Sequence, residues 1–248
     1  MEIILLGSVA SLLVGLATAI GAIPVFFVHR FDKKFYSAML GFSAGVMLAA
    51  SFFSLLLPAL AKGTIWQVLS GFILGVVFLE LADKFIPHQH FMGGIEGFHP
   101  AHLRRISLFV LAISIHNFPE GLSVGVGFGA GDMKKAIVLA LGMAVQNIPE
   151  GTVVALPLRS KGYSKSKSFY IAALTGLIEP IGGILGVSLV VFFSKLLPVV
   201  LSFAAGCMLY IISGEIIPES HREGFGKIAT VWLVAGFALM LILENIFK

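Results

Sequence analysis

The chain has 248 residues, of which 58% are hydrophobic and only 12% charged, with a net charge of +4 and a mean hydropathy of +0.99. Soluble domains carry about 25% charged residues, so this composition excludes a cytosolic enzyme, and its apolar content excludes disordered, collagen-like and low-complexity chains. The single cysteine, Cys207, excludes an internal disulfide framework or a thiolate metal cluster, and a basic excess in so apolar a chain speaks of membrane orientation rather than of nucleic acid.

A helix needs about 20 mostly apolar residues to cross a hydrocarbon core about 30 Å thick. Eight stretches meet that demand in chain order: 3–28, 36–60, 65–86, 106–128, 134–158, 169–193, 196–217 and 228–247. They are apolar all round, unlike the alternating ten-residue segments of a β-barrel. The first lacks the basic n-region of a signal peptide and exceeds its usual apolar length, so it is expected to stay as a helix. The expected fold is an all-α membrane protein of eight transmembrane helices, forming one transmembrane domain over 1–248.

Loop charges orient the spans. Twelve of the 17 basic residues, among them Lys33, Lys34, Arg104, Arg105, Lys165 and Lys167, fall on one side. That side is cytoplasmic by the positive-inside rule. Both termini then face outward from the cell (inner) membrane. The inner loop 87–104 holds His88, His90, His99 and His102, residues of a type that can bind metal, or incidental histidines of a solvated loop.

An internal echo relates the first three spans to the last three. GLATAIGAI (15–23) aligns with GLIEPIGGI (176–184), and FSAGVML (42–48) with FAAGCML (203–209), both at an offset of 161. With the charge-based orientation the two triplets are inverted, and spans 4 and 5 lie between them as a central hairpin. Inverted repeats with interrupted helices and a midplane site are a secondary-transporter signature.

Three carboxylates sit in mid-span: Glu120, Glu150 and Glu179. No Lys or Arg lies in the middle of any span, so their partner is expected to be a ligand cation or bound protons. The string His116-Asn117-Phe118-Pro119-Glu120-Gly121 recurs thirty residues later as Gln146-Asn147-Ile148-Pro149-Glu150-Gly151. His116 and Glu120 share a helical face, as do Gln146 and Glu150. Each glutamate adjoins a proline, Pro119, Pro149 or Pro180, which frees a carbonyl four residues back. Imidazole, amide oxygen and carboxylate together suit Zn²⁺, Fe²⁺, Mn²⁺ or Co²⁺ rather than Cu⁺.

HNFPEG and QNIPEG in consecutive helices resemble the signature of the ZIP family of divalent-metal transporters. The Glu179-Pro180 pair, the GEIIPESH run at 214–221, the length and the eight spans resemble it too. The resemblance covers essentially the whole chain. It implies metal uptake into the cytosol, Zn²⁺ foremost with Fe²⁺, Mn²⁺, Co²⁺ and Cd²⁺ as further cargo, by an elevator-like motion and commonly within a homodimer. It implies a primary site of His116, Glu120, Gln146, Glu150 and Glu179. A second site would use Asn117 and Asn147 with shared glutamates. One or two metals would be bound as cargo, with no catalytic cofactor. Met47 is either a thioether ligand or a core residue. Asn147 stands where some relatives have Asp, which weakens the case for a second metal.

Glu215, Glu219 and His221 lie where an exit site would be, and Glu80 and Asp83 read either as exit ligands or as interfacial residues. Glu244 is placed to draw cations to the outer entrance or simply to sit at the interface. Rival functions fare worse. An intramembrane metalloenzyme would want a string such as H-E-x-x-H, and an ATP-driven pump a phosphate loop; neither occurs. A metal- or proton-coupled carrier or channel for organic cations would want an aromatic box rather than three carboxylates.

Overall fold

The computed structural model describes residues 1–28, 32–85, 88–89, 95–96, 105–222 and 224–246, with only the backbone described for 88–89, 95–96, 105–109 and 112. Most of the loop 87–104, including the side chains of all four of its histidines, lies outside the described residues. What is described there is a two-residue ladder pairing His88 with Glu96 and Gln89 with Ile95.

Everything else regular is helical. In order these are α1 (Glu2–Ala22), α2 (Lys33–Ala50), α3 (Leu57–Lys62), α4 (Ile65–Phe85), α5 (Arg105–Gly129), α6 (Met133–Ser160), α7 (Lys165–Gly176), α8 (Glu179–Phe192), α9 (Leu197–Ile211), α10 (Ile217–Arg222) and α11 (Gly226–Ile246). Among the described residues seven runs are long and apolar enough to cross a membrane. They are Glu2–Phe26, Lys33–Lys62, Ile65–Phe85, Met133–Ser160, Lys165–Phe192, Ser194–Arg222 and Gly226–Ile246. The 25-residue α5 packs among them.

The outer surface is apolar: Trp66 is 75% exposed and Phe192 70%, while Glu120, Gln146 and Glu179 are fully buried. That inversion is what a hydrocarbon solvent demands.

Helix starts follow local chemistry. Asp32, Asp132 and Ser164 cap α2, α6 and α7, accepting from the amides of Lys34, Lys135 and Lys167. Each satisfies an amide that the first helical turn leaves free. Gly131, at φ +84°, makes the tight turn between α5 and α6.

Three of the membrane-length runs are interrupted in mid-course. The run Lys165–Phe192 breaks at Leu177–Ile178, so that Glu179 and Pro180 open α8. Pro180 therefore does not kink a continuous helix; in a first turn its missing N–H costs nothing. The runs Lys33–Lys62 and Ser194–Arg222 each contain a π-helical segment, Ser51–Leu56 and Ile212–Ile216. Each π segment runs into a six-residue helix, α3 or α10, whose second residue is a proline, Pro58 or Pro218. A wider turn accommodates the proline ring where a regular one would clash with the carbonyl four residues back.

The helices form two bundles. One holds α1, α5, α6, α7 and α8, and the other α2, α3, α4, α9, α10 and α11; α2 on α6 and α5 on α9 join them. Inside each bundle, helices touch backbone to backbone through glycine. Gly15 and Gly176 each abut the other's carbonyl, and in the second bundle Gly45 abuts that of Leu233, Gly206 that of Phe72, Gly75 that of Phe203 and Gly236 that of Phe42. Small residues permit this approach, the main source of helix cohesion where lipid removes the hydrophobic drive. Across the seam, Gly142 of α6 instead faces the side chain of Met240 on α11. These contacts also come in pairs: Gly45–Leu233 and Phe72–Gly206 match at the 161-residue offset, as do Gly75–Phe203 and Gly236–Phe42.

Candidate metal site

His116, Asn117 and Glu120 come from the middle of α5, Gln146, Asn147 and Glu150 from the middle of α6, and Glu179 from the first residue of α8. The glycine that ends each repeated string explains how they meet. Gly121 abuts the carbonyl of Glu179, and Gly151 abuts that of Thr18 on α1. A side chain at either position would lift α5 from the start of α8, or α6 from α1. Sequence reasoning missed this role, although the recurrence of Gly after both glutamates signalled it.

The polar groups form a continuous network. Gln146 Nε2 donates to Glu120 Oε2 and to Asn147 Oδ1. Asn147 Nδ2 donates to Glu179 Oε1 at 2.6 Å and to the Val14 carbonyl of α1 at 2.9 Å. With its amide nitrogen turned toward acceptors, Asn117 donates to Glu150 Oε1 at 2.9 Å and to the Ile113 carbonyl at 2.6 Å. Amide protons thus stand between the carboxylates and keep like charges apart. Among the described residues no three His, Cys, Asp or Glu side chains are already gathered at metal-ligand spacing.

Three oxygens in this network are nonetheless buried without a hydrogen-bond partner: Glu120 Oε1, Gln146 Oε1 and Glu179 Oε2. Buried acceptors of this kind are costly to leave unpaired. All are oxygen donors, a type that together with imidazole suits a divalent transition metal.

A cavity of about 580 Å³ leads to this network. Its lining runs from the buried Glu120 and Gln146, with His116 and Glu150, to the exposed His221 and Arg222. Asn117, Asn147 and Glu179 lie outside the cavity lining. Met47 is fully buried in the apolar cluster with Ala44, Val46 and Met143 and is not among the lining residues. The structure thus gives it the surroundings of a core methionine.

Of the peripheral candidates, Glu215 comes closest to the site, with Oε2 2.7 Å from His116 Nε2. Glu219 accepts from the Tyr36 hydroxyl at 3.2 Å and from Arg222 at 3.3 Å. Asp83 lines the cavity as well. Glu244 is engaged by the Ser54 hydroxyl on the far side of the molecule. Ser43, which the sequence did not single out, donates to the Gln146 carbonyl at 3.1 Å and so ties α2 to the site.

Known proteins resemble this chain over most of its length. Residues 95–244 match the family model described as ZIP zinc transporter. The chain is 44% identical to the zinc transporter GufA of Myxococcus xanthus, covering 96% of this chain and 97% of that one. It is 43% identical to the zinc transporter ZIPB of Bordetella bronchiseptica, covering 92% and 77%, and 34% identical to the zinc transporter ZupT of Clostridium perfringens, covering 98% and 96%. With its multi-pass helical architecture and a repeated HNFPEG/QNIPEG pair at its centre, the chain belongs to the ZIP family, a family of membrane transporters rather than enzymes, and is of the prokaryotic type.

Proposed function

We propose that this protein carries divalent metal, Zn²⁺ foremost, across the cell membrane into the cytosol by alternating access. The observation that carries the reading is the pair of buried, unpartnered oxygens of Glu120 and Gln146, both cavity-lining residues, joined by that of Glu179 outside the lining. Metal from this side would meet His116, Glu120, Gln146 and Glu150 first.

The reading extends to architecture. Counting α5 gives eight spans, with spans 1–3 and 6–8 as inverted repeats around the α5–α6 hairpin. The paired glycine contacts at the 161-residue offset support that symmetry, as do the matching π segments. With the twelve-to-five split of basic residues, both termini face outward and the cavity opens to the cytosol. The bundle of α1 and α5–α8, which holds the site, would move against the other as an elevator. The homodimer implied by the family belongs to the same reading.

The site favours one ion. Both amide protons of Asn147 are donated, and its oxygen accepts from Gln146. Asn147 and Asn117 therefore act as spacers that hold Glu179 and Glu150 in place, rather than as ligands of a second metal. The test is uptake by reconstituted protein offered Zn²⁺, Fe²⁺, Mn²⁺, Co²⁺ or Cd²⁺, with pH and membrane potential varied independently. Zn²⁺ uptake with one ion bound per chain is expected; absence of uptake for every metal would overturn the function, and two ions per chain the single-site reading.

A further inference from the structure

The two ends of the seam between the bundles carry matching devices. On the side away from the cavity, Lys62 ends α3 and reaches across to the other bundle, donating to the Ala130 carbonyl at 2.8 Å. Ala130 lies at the end of α5, just before Gly131. Carbonyls at a helix C-terminus lack intrahelical partners and carry the negative end of the helix dipole, so they hold an ammonium by charge as well as by hydrogen bond. Beneath this bridge the seam has narrowed to a crevice of about 70 Å³, lined by Ser54, Ala136, Leu139 and Leu201. Asp132 and Lys135 line the same crevice, so with Lys62 its mouth keeps a net positive charge that repels an approaching dication.

The opposite mouth has the same parts in a different state. α10, like α3, is a six-residue helix that follows a π segment, has proline at its second residue and ends on a cation, here Arg222. Across the seam, α6 ends in the same turn as α5. Lys161 N donates to the Pro157 carbonyl at 3.0 Å and Gly162 N to that of Arg159 at 3.1 Å, as Ala130 N does to Val126 at 2.9 Å and Gly131 N to Phe128 at 3.4 Å. Gly162 has φ +92° where Gly131 has +84°. Arg222, however, does not bridge the seam: it lines the open cavity and donates to Glu219 on its own helix.

We infer that Lys62 and Arg222 are alternating latches of the two mouths. Lys62 on Ala130 holds the outer mouth shut while the cavity is open to the inside. When the site turns outward, Lys62 releases Ala130, and Arg222 leaves Glu219 for the carbonyls of the Ser160–Lys161 turn. The inference rests on the inverted-repeat, alternating-access reading above and adds to it the groups that close each mouth.

The test uses the full chain in proteoliposomes, with Cys207→Ser and one reporter cysteine at a time. Ala136→Cys reports the outer crevice and Val153→Cys the inner cavity, each by its rate of reaction with a membrane-impermeant thiol reagent applied from its own side. In the parent, Zn²⁺ should move the two rates in opposite directions. Lys62→Met should raise labelling at 136 about three- to tenfold and lower it at 153, the effect of losing one exposed charge-assisted hydrogen bond. Lys62→Arg should restore the parent rates, and Arg222→Met should shift both reporters the opposite way. Reporters that do not move reciprocally in the parent would overturn alternating access and the latches together. Reciprocal reporters that ignore Lys62→Met, or respond to Arg222→Met in the same sense, would overturn the latches alone.

Discussion

The two bundles are assembled with the same tool and filled with opposite materials. Both press glycine onto a neighbouring carbonyl, at Gly15 and Gly176 in one and at Gly45 and Gly206 in the other. The first then buries Asn117, Glu120, Gln146, Asn147 and Glu179, whereas the second buries Met47, Leu55, Leu79, Met208 and Ile211. Close backbone packing is thus what the membrane requires of either bundle, and the polar interior is an addition made in one of them. The second bundle meets the first with a mixed wall, from which Ser43 reaches the Gln146 carbonyl and Glu215 comes within 2.7 Å of His116.

The sharpest break of this contrast is removal of a charge from the polar bundle. Unit charges about 4 Å apart interact by roughly 4 kcal/mol at an effective dielectric near 20. Glu120→Ala or Glu150→Ala should therefore lower the initial rate of Zn²⁺ uptake about a hundredfold or more. Wild-type uptake in both would show that the buried carboxylates are structural.

Glycine substitution separates packing from chemistry. Gly45→Val in the apolar bundle should destabilise the protein by about 1–3 kcal/mol, the usual range for overpacking. It should leave the zinc affinity of the folded fraction within about twofold of wild type, because no ligand leans on it. Gly121→Val should cost similar stability and also weaken zinc binding, since it displaces the start of α8 and with it Glu179. Calorimetry on the purified variants checks both, and equal affinity losses would erase the distinction between bundles.

Asn147→Asp replaces two amide donors by a carboxylate oxygen facing Glu179 Oε1 and the Val14 carbonyl. Those groups then repel unless a cation intervenes. The expected outcome is about tenfold tighter zinc binding and a second bound ion, read by isothermal titration. A stoichiometry unchanged from one, with weaker binding, would count against the spacer role of Asn147.

The smallest effect belongs to Ser43, the hydroxyl from the apolar bundle that reaches the Gln146 carbonyl. Its loss in Ser43→Ala removes a net contribution of about 0.5–1.5 kcal/mol. Turnover should change about two- to tenfold, with little change in zinc affinity measured at equilibrium. A variant whose affinity falls as far as its turnover would place Ser43 in the site itself.

Much of this was legible from the chain. Apolar runs of about 20 residues locate spans because a bilayer has a fixed thickness, and Gly131-Asp132 announces its turn because a positive φ and a capping carboxylate are local needs. The two Pro-Glu-Gly strings placed the carboxylates on α5 and α6 for the same reason: helical spacing is intrinsic to sequence. The π segments at Ser51 and Ile212 were not legible, although Pro58 and Pro218 mark where they end. A proline says that a turn must deform, and the neighbouring helices decide how. Nor could spacing reveal that Asn117 and Asn147 act as donors between carboxylates, or that Glu215 approaches His116, because those relations join separate helices. Met47 illustrates the reverse case, a residue whose type suits a metal and whose surroundings are core.

The interruption of the run Lys165–Phe192 at Leu177–Ile178 bears on how long an ion stays. Because α8 begins at Glu179, this carboxylate meets the positive end of a helix dipole, equivalent to roughly half a unit charge. Part of its negative field is spent on its own backbone before any cargo arrives. A continuous helix would leave that field undivided and lengthen the dwell time of a dication toward that of a structural zinc. On the function proposed above, the broken helix would make Glu179 a weaker anchor, and a transporter that must let go at every cycle would gain turnover from that weakness.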